Sequence, residues 1–374
     1  MTTTLTQPLT SRFTRRPDAP HPVTRHPFVA AAGRFGPNWY AAVMGTAIVA
    51  NGAHVLPGVA STAWAQVWAQ AFWALGFAGL VVLAGTRLVG RLHHARVRPL
   101  DDPSVAVFLG CPPMALMAVG FGALGAGEPL LGHGLALALD AVLWTLGTVY
   151  GLWAAGTVLY RLAMHYDVAR ADAAPTWLLP VVAPMVSAAL GPALIPHLPV
   201  GQAQLTMLFA CIAMFGLSLV AVLMLLPTLF ARLAHDGPLP PALIPTLFLV
   251  LGPLGQSVTA VTQFAAHGPA ALGAPLGGFA LLYGVPVFGF ALLWLAVAGA
   301  ATVHGLRKGM PFAMTWWAYT FPVGTCVTGA AGLYARTGLT AFAVVQVALY
   351  VLLVSAWAVA AVRTARALPT FLRG

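Results

Sequence analysis

The sequence predicts an all-α integral membrane protein in which ten transmembrane helices form five out-and-back hairpins around a central pore. Of the 374 residues, 60% are hydrophobic and only 7% are charged, which leaves too little polar surface for a soluble protein of this length. The apolar residues form ten runs, each long enough to cross a bilayer. The pattern of these runs repeats about every 70 residues.

The ten runs fall into two kinds that alternate along the chain. They lie at residues 35–56, 64–88, 103–127, 134–160, 175–196, 203–230, 241–266, 275–304, 311–334 and 338–362. Most odd-numbered runs contain interior prolines, whereas the even-numbered runs are smoother and Pro286 is their one exception. Run 1 has no interior proline, and Gly45-Thr46 and Gly52 are its only positions where the helix could be weakened. Irregular backbone is tolerated in a membrane only where protein or water encloses it. We therefore expect a quasi-fivefold arrangement with the odd helices inside and the even helices facing lipid.

The basic residues predict that both chain termini are cytoplasmic. All 18 Lys and Arg residues except Arg336 lie before the first run or at the ends of even-numbered runs and in the loops that follow them, and basic residues concentrate in cytoplasmic loops. The same rule accounts for the net charge of +10, so this charge does not indicate a nucleic-acid partner. We predict a disordered basic cytoplasmic tail at 1–34, a ten-helix domain at 35–362 and a cytoplasmic C-terminal tail at 363–374.

The ninth run contains a break with an aromatic side chain beside it. Pro322 has no backbone N–H and clashes with the carbonyl one turn earlier, and Gly324 loosens the next turn. Phe321 stands at this break. A helix interrupted in hydrocarbon, with a large ring at the interruption, indicates part of a pathway through the membrane.

The odd-numbered runs contain no charged side chain except Arg336 at the outer edge, which favours fast, low-affinity passage over tight binding. Each odd helix runs outward, so the segment beyond each break directs its N-terminal amides toward the midplane, where they attract anions. Neutral hydroxyl and amide side chains add donors if they face the axis, and ordinary interhelical hydrogen bonding is the alternative for each of them. The candidate path residues are Thr46, Pro113, Pro184, Ser187, Pro253, Gln256, Ser257, Thr320, Pro322 and Thr325.

Two sets of titratable residues lie apart from this path. Asp140 is the acid inside an apolar run, which suggests proton coupling or, as the favoured alternative, a structural role on an even helix. A second set lies at the predicted external ends of the runs, where it forms either a rim around one mouth or scattered interfacial side chains. This set is His54, His133, His197, His267 and Arg336.

Four stretches resemble the tellurite-resistance/dicarboxylate transporter family, which includes TehA-type bacterial channels, plant slow anion channels, fungal malate permeases and fungal sulfite exporters. They are FGPNWYAAVMGTAIVANGA (35–53), PTWLLPVVAPMVSAALG (175–191), PTLFLVLGPLGQSVTA (245–260) and WWAYTFPVGT (316–325). The resemblance implies a cell-membrane homotrimer in which each protomer has a pore lined by the five odd helices. It also implies that Phe321 is the gate and that the partners are small anions such as chloride, nitrate, malate or sulfite.

Two other functions compete with a channel. A membrane enzyme is suggested by His93-His94 and Asp101-Asp102 in one loop, but no metal motif, cofactor motif or acid/base pair accompanies them, and Asp102-Pro103 is typical of a helix start. A proton-coupled carrier for C4-dicarboxylates, sulfite or tellurite is the closer alternative, and the sequence does not separate it from a channel.

Overall fold

A computed structural model describes residues 35–92 and 98–373 of the chain, and these residues form ten helices without a strand. The helices are α1 (Tyr40–His54), α2 (Ala63–Leu92), α3 (Pro103–Leu131), α4 (His133–Met164), α5 (Pro175–His197), α6 (Gln202–His235), α7 (Pro241–His267), α8 (Gly273–Arg307), α9 (Phe321–Thr337) and α10 (Thr340–Arg373). Eight of them in this described part are long and apolar enough to cross a membrane. The predicted class, an all-α membrane protein, is therefore confirmed.

The helix limits agree with the ten predicted runs, but the outer helices extend further. The last run ends at residue 362 in the sequence analysis, whereas α10 continues to Arg373. Phe371 explains part of this extension, because its ring lies 4.9 Å from the ring of Trp39 and 5.6 Å from that of Phe35. The predictions for the tail at 1–34 and for His93-His94 fall outside the described residues.

The odd-numbered helices form an inner layer. In this layer α1 packs on α3, α3 on α5, α5 on α7, α7 on α9, and α9 on α1 again. Each even helix packs on the odd helix that precedes it. In the most apolar windows of α5 and α7, 94% of the residues are buried, against 22% in α8 and α10. The inner helices are thus enclosed by protein, and the outer helices expose apolar side chains, as a lipid-facing layer requires.

Prolines begin regular helical segments in the inner layer instead of simply kinking them. Regular α-helix starts at Cys111 within α3, at Leu251 within α7 and at Phe321, the first residue of α9, and each start has a proline one or two residues later. The first turn tolerates proline because its N–H groups have no intrahelical acceptor. Pro184 differs, since it lies inside a continuous helical segment of α5. Pro227 lies inside α6, so Pro286 is not the only proline in an outer helix.

The loops that follow the even helices meet on one face. Arg170, after α4, donates to the carboxylate of Asp236, after α6, over 3.2 and 3.0 Å. This hydrogen-bonded ion pair holds the pKa of the Asp236 carboxyl below its usual value. Arg161, near the end of α4, donates to the carbonyl of Leu100 before α3 over 2.8 Å. Asp102 accepts from the backbone N–H of Ser104 over 2.8 Å, which confirms the predicted cap at the start of α3.

Glycines allow α7 and α9 to pack with their backbones close together. A Cβ atom on Gly255 would lie 2.6 Å from the backbone nitrogen of Cys326. A Cβ atom on Gly324 would overlap the side chain of Ile48 in α1. Neither position has room for a side chain, so these glycines determine how closely α9 approaches both of its inner neighbours.

We expect Gly255→Ala to destabilise the protein by about 1–3 kcal/mol, because the backbones of α7 and α9 would have to separate. Gly252→Ala is the matched control on the same helix, since a Cβ there meets no atom within 4 Å. Thermal unfolding in detergent checks both variants. Equal unfolding temperatures for the two would contradict a role for close backbone packing.

The predicted orientation is tested by labelling single cysteines with a reagent that does not cross membranes. We expect labelling from outside at Ser61, Val200 and Leu339, and none at His235 and Lys308. All five positions are exposed, and the native Cys111, Cys211 and Cys326 are buried, so the background should be low. The reverse pattern at two or more sites would contradict cytoplasmic termini.

Candidate functional site

A cavity of about 490 Å³ lies among the five inner helices. All five contribute to its wall, which matches the closed order of their contacts. Representative lining residues are Ile48 and Asn51 of α1, Ala118 of α3, Leu190 of α5, Gln256 of α7 and Phe321 of α9.

The cavity extends from Phe321 toward the C-terminal ends of the inner helices. Along α9 its lining residues run from Phe321 to Arg336, a distance of about 22 Å at 1.5 Å per residue. Phe321 is 2% exposed and lies at the deep end, whereas Arg336 lies at the outer end. The outer end is the extracellular side in the orientation predicted from the charges.

Local backbone geometry determines where Phe321 lies. A 3₁₀ segment, Met314–Tyr319, precedes it, and Thr320 adopts φ −97° and ψ −78° between that segment and α9. In α7 a 3₁₀ segment, Pro241–Val250, likewise gives way to regular helix at Leu251. The two 3₁₀ segments pack against each other, so neighbouring inner helices change geometry beside each other where the cavity ends.

The cavity wall is mostly apolar, and most of its polar side chains form a row on α7 and α9. Gln256, Thr259 and Gln263 follow one another on one side of α7 at helical spacing. The hydroxyl of Thr259 lies 2.8 Å from that of Thr328 on α9. Among the described lining residues Arg336 is the only charged one. The cavity therefore carries a positive charge at its outer end, and the described part of its wall includes no acid.

Several predicted path residues bond between helices instead of lining the cavity. Thr46 donates to the carbonyl of Ala42 over 2.8 Å and accepts from the indole of Trp357 in α10 over 2.9 Å. Ser187 accepts from the hydroxyl of Thr148 in α4 over 3.0 Å. These two hydroxyls link the inner layer to the outer one, which is the alternative role weighed for them.

The predicted residues near the break also have partners within the protein. Thr320 donates to the carbonyl of Trp317 and Thr325 to that of Pro322, each over 2.7 Å, and Ser257 donates to that of Leu254 over 2.9 Å. The four candidate prolines are buried, and they are absent from the lining of the cavity. These prolines are Pro113, Pro184, Pro253 and Pro322. Among the predicted donors, Gln256 is the one that reaches the cavity wall.

The predicted rim histidines lie in two neighbouring groups. His54 and His267 line a second cavity of about 240 Å³, which shares Asn51 and Gln263 with the first. The rings of His133 and His197 are 5.4 Å apart.

Two of the predicted rim histidines have titratable neighbours, and Arg336 lies near the group. His133 Nδ1 lies 3.1 Å from a carboxylate oxygen of Glu128, so a protonated His133 would be neutralised by this partner. His197 is close enough to His267 for their charges to interact. Arg336 lines the larger of the two adjoining cavities.

Asp140 lies away from both cavities. Its side chain is 1% exposed, neither carboxylate oxygen has a hydrogen-bond partner in the described part of the chain, and it packs against Gly120 of α3. A buried carboxyl without a partner is costly when ionised.

Sequence reasoning missed Asn51, Thr259, Gln263 and Thr328 as lining residues. The spacing of Gln256, Thr259 and Gln263 at i, i+3 and i+7 was the available signal, because it puts three polar side chains on one side of a buried helix. Asn51 offered no such signal. Its place becomes clear from the hydrogen bond of its Nδ2 to the carbonyl of Ala118 over 3.1 Å.

The enclosed ring of broken helices and its central cavity define a multi-pass membrane protein of the transport class. Residues 34–365 match the voltage-dependent anion channel family, SLAC1, and the chain belongs to this family. It is 28% identical over 342 residues to an uncharacterized transporter of Methanocaldococcus jannaschii, covering 88% of this chain and 92% of that protein. It is 29% identical over 204 residues to a sulfite efflux pump of Trichophyton rubrum, covering 50% of this chain and 54% of the pump.

Proposed function

We propose that this protein conducts small anions passively through the inner ring and that Phe321 gates the path, in a homotrimer with one pore per protomer. The observation that carries the proposal is a cavity lined by all five inner helices that ends at Phe321. The ring of a phenylalanine at this end of the cavity would exclude water and ions until it moves.

The charge distribution supports an anion as the permeant species. An ion that leaves water for an apolar cavity loses solvation energy, and a nearby opposite charge or donor offsets part of the loss. Arg336 supplies a positive charge at the outer end, and the described lining residues include no acid. A cation would meet repulsion at Arg336 without compensation deeper in the cavity.

We favour passive conduction over tight binding because the deep part of the cavity wall has no charged side chain among its described residues. Fast conduction requires sites that an ion can leave as readily as it enters them. The deep part of the cavity presents neutral amide and hydroxyl groups without a charged side chain. Such groups solvate an anion without trapping it.

We expect Phe321→Ala to raise anion flux at least tenfold in proteoliposomes, because it removes the ring at the deep end of the cavity. Truncation of a buried phenylalanine also costs about 3–5 kcal/mol of stability. Phe288→Ala on α8 is the matched control, since Phe288 is likewise 2% exposed and lies outside both inner cavities. Flux by current recording and unfolding by thermal melts should be measured together.

Loss of stability without a rise in flux for Phe321→Ala would contradict the gate and indicate a packing role alone. The same recordings separate a channel from a carrier, since currents well above carrier turnover require an open path. A rise in flux with Phe288→Ala would show that destabilisation by itself causes leakage.

A second candidate function is export of sulfite by a coupled carrier. The observation that favours it is the similarity to fungal sulfite efflux pumps, which extends over half of this chain. Sulfite flux that follows an imposed proton gradient, and stops when the gradient is collapsed, would support it. Asp140 packs against α3 and not on the cavity wall, so we propose a structural role for it.

We expect Arg336→Gln to lower anion influx from outside, because it removes the positive charge at the outer end of the larger cavity. The local anion concentration there should fall, roughly two- to fivefold at low salt and less at high salt. The rim role of His54, His133, His197 and His267 stays a prediction.

The test measures anion influx of the wild type and of Arg336→Gln at low and at high salt. Arg307→Gln at the end of α8 is the matched control, because Arg307 is also exposed and lies outside both inner cavities. Equal influx of the wild type and Arg336→Gln at low salt would contradict a role for the charge at the outer end.

A further inference from the structure

Gln256 differs from the other polar residues at the deep end of the cavity in having no protein partner. It is 2% exposed, and its Oε1 is buried without a hydrogen-bond donor. Its Nε2 has no acceptor in the described part of the chain and, unlike Oε1, is not fully buried. Because Gln256 lines the cavity that ends at Phe321, we infer that this amide nitrogen faces the cavity.

The neighbouring donors are already committed to protein acceptors. Thr259 donates to the carbonyl of Gly255 over 3.1 Å or shares a hydrogen bond with Thr328, and Thr328 donates to the carbonyl of Thr325 over 3.0 Å. Asn51 donates to the carbonyl of Ala118. An amide side chain carries two N–H donors. Asn51 uses one of its two, whereas both donors of Gln256 are free, so Gln256 has the larger free donor capacity near Phe321 among these lining residues.

We propose that the Gln256 amide is an anion-binding position on the outer side of Phe321, that it selects small monovalent anions, and that it determines which of them pass. This inference rests on the proposed conduction of anions. An N–H donor replaces water that an anion loses as it nears the apolar deep end, and hydrogen bonds to a charged group are stronger than neutral ones.

The preference for one negative charge follows from solvation. The cost of moving an ion into an apolar medium rises with the square of its charge in the Born description. Near Phe321 the wall supplies neutral amides, and its only described cation, Arg336, lies at the far end of the cavity, about 22 Å from Phe321 along α9. A dianion is therefore disfavoured, and an oxyanion such as sulfite would bind as its singly protonated form.

The experiment uses the full chain in proteoliposomes, in the Phe321→Ala background, where the path is expected to be open. Gln256→Met removes the donors at nearly constant shape. Gln346→Met is the matched control, because Gln346 is also buried and its Oε1 is also unpartnered, but its Nε2 donates to the carbonyl of Val55 and it lies outside both inner cavities. Chloride and thiocyanate currents are measured as a function of concentration.

We expect Gln256→Met to raise the half-saturating chloride concentration about tenfold, as loss of one hydrogen bond to an ion predicts. Selectivity should shift toward thiocyanate, which gives up its water more readily. Gln346→Met should keep the half-saturating concentration and the selectivity of its background.

Gln256→Glu provides a second variant that does not depend on how well the apolar one folds. Its carboxylate should suppress chloride current at about pH 7.5, and acidification to about pH 5.5 should restore current, since a carboxyl facing an apolar cavity gains its proton above the ordinary range. Gln346→Glu should show no such recovery with pH.

Each outcome decides the proposal. Robust current in the Phe321→Ala background with identical chloride saturation and selectivity in Gln256→Met and Gln346→Met would overturn the binding position while leaving anion conduction intact. No anion current from any variant, including Phe321→Ala alone, would overturn the proposed function and this inference with it.

Discussion

The structure depends on one constraint: the inner helices have interrupted backbones, and protein must enclose these interruptions within the membrane. The inner helices change between 3₁₀ and regular helical geometry within the membrane domain, and a backbone group left without a partner in hydrocarbon costs several kcal/mol. Five smoother helices around them remove that exposure. The outer layer is thus what permits an inner layer irregular enough to carry a cavity and to hold Phe321 at one end of it.

Close helix packing fixes the position of that phenylalanine. Gly255 and Gly324 let α9 approach α7 and α1 at distances that no side chain would allow, and the hydroxyl of Thr325 donates to Pro322 within the same turn that follows Phe321. In the proposed gate, these contacts hold the backbone on either side of Phe321 in place.

In the proposed anion path, the residues that attract anions are separate from the residues that they pass. Arg336 and the neighbouring histidines lie at the outer end of the cavities, whereas the deep end offers the neutral amide of Gln256. A charge at the mouth raises the local concentration of anions, and a neutral donor further in offsets dehydration without holding the ion. Asp140, buried against α3, stands outside this arrangement.

The sequence by itself determined the membrane class, the ten helices and the position of the break, because burial in lipid demands long apolar runs and because Pro322 cannot continue a helix. It also identified Gln256 and the rim histidines as candidates. Only the tertiary structure decided which polar side chains line the cavity, since helical rotation is invisible in runs that are apolar all round. Thr46 and Ser187 turn to outer helices, whereas Gln256 and Gln263 face inward. Which face of a helix turns to the cavity depends on contacts between segments far apart in the chain, and local propensity does not encode those contacts.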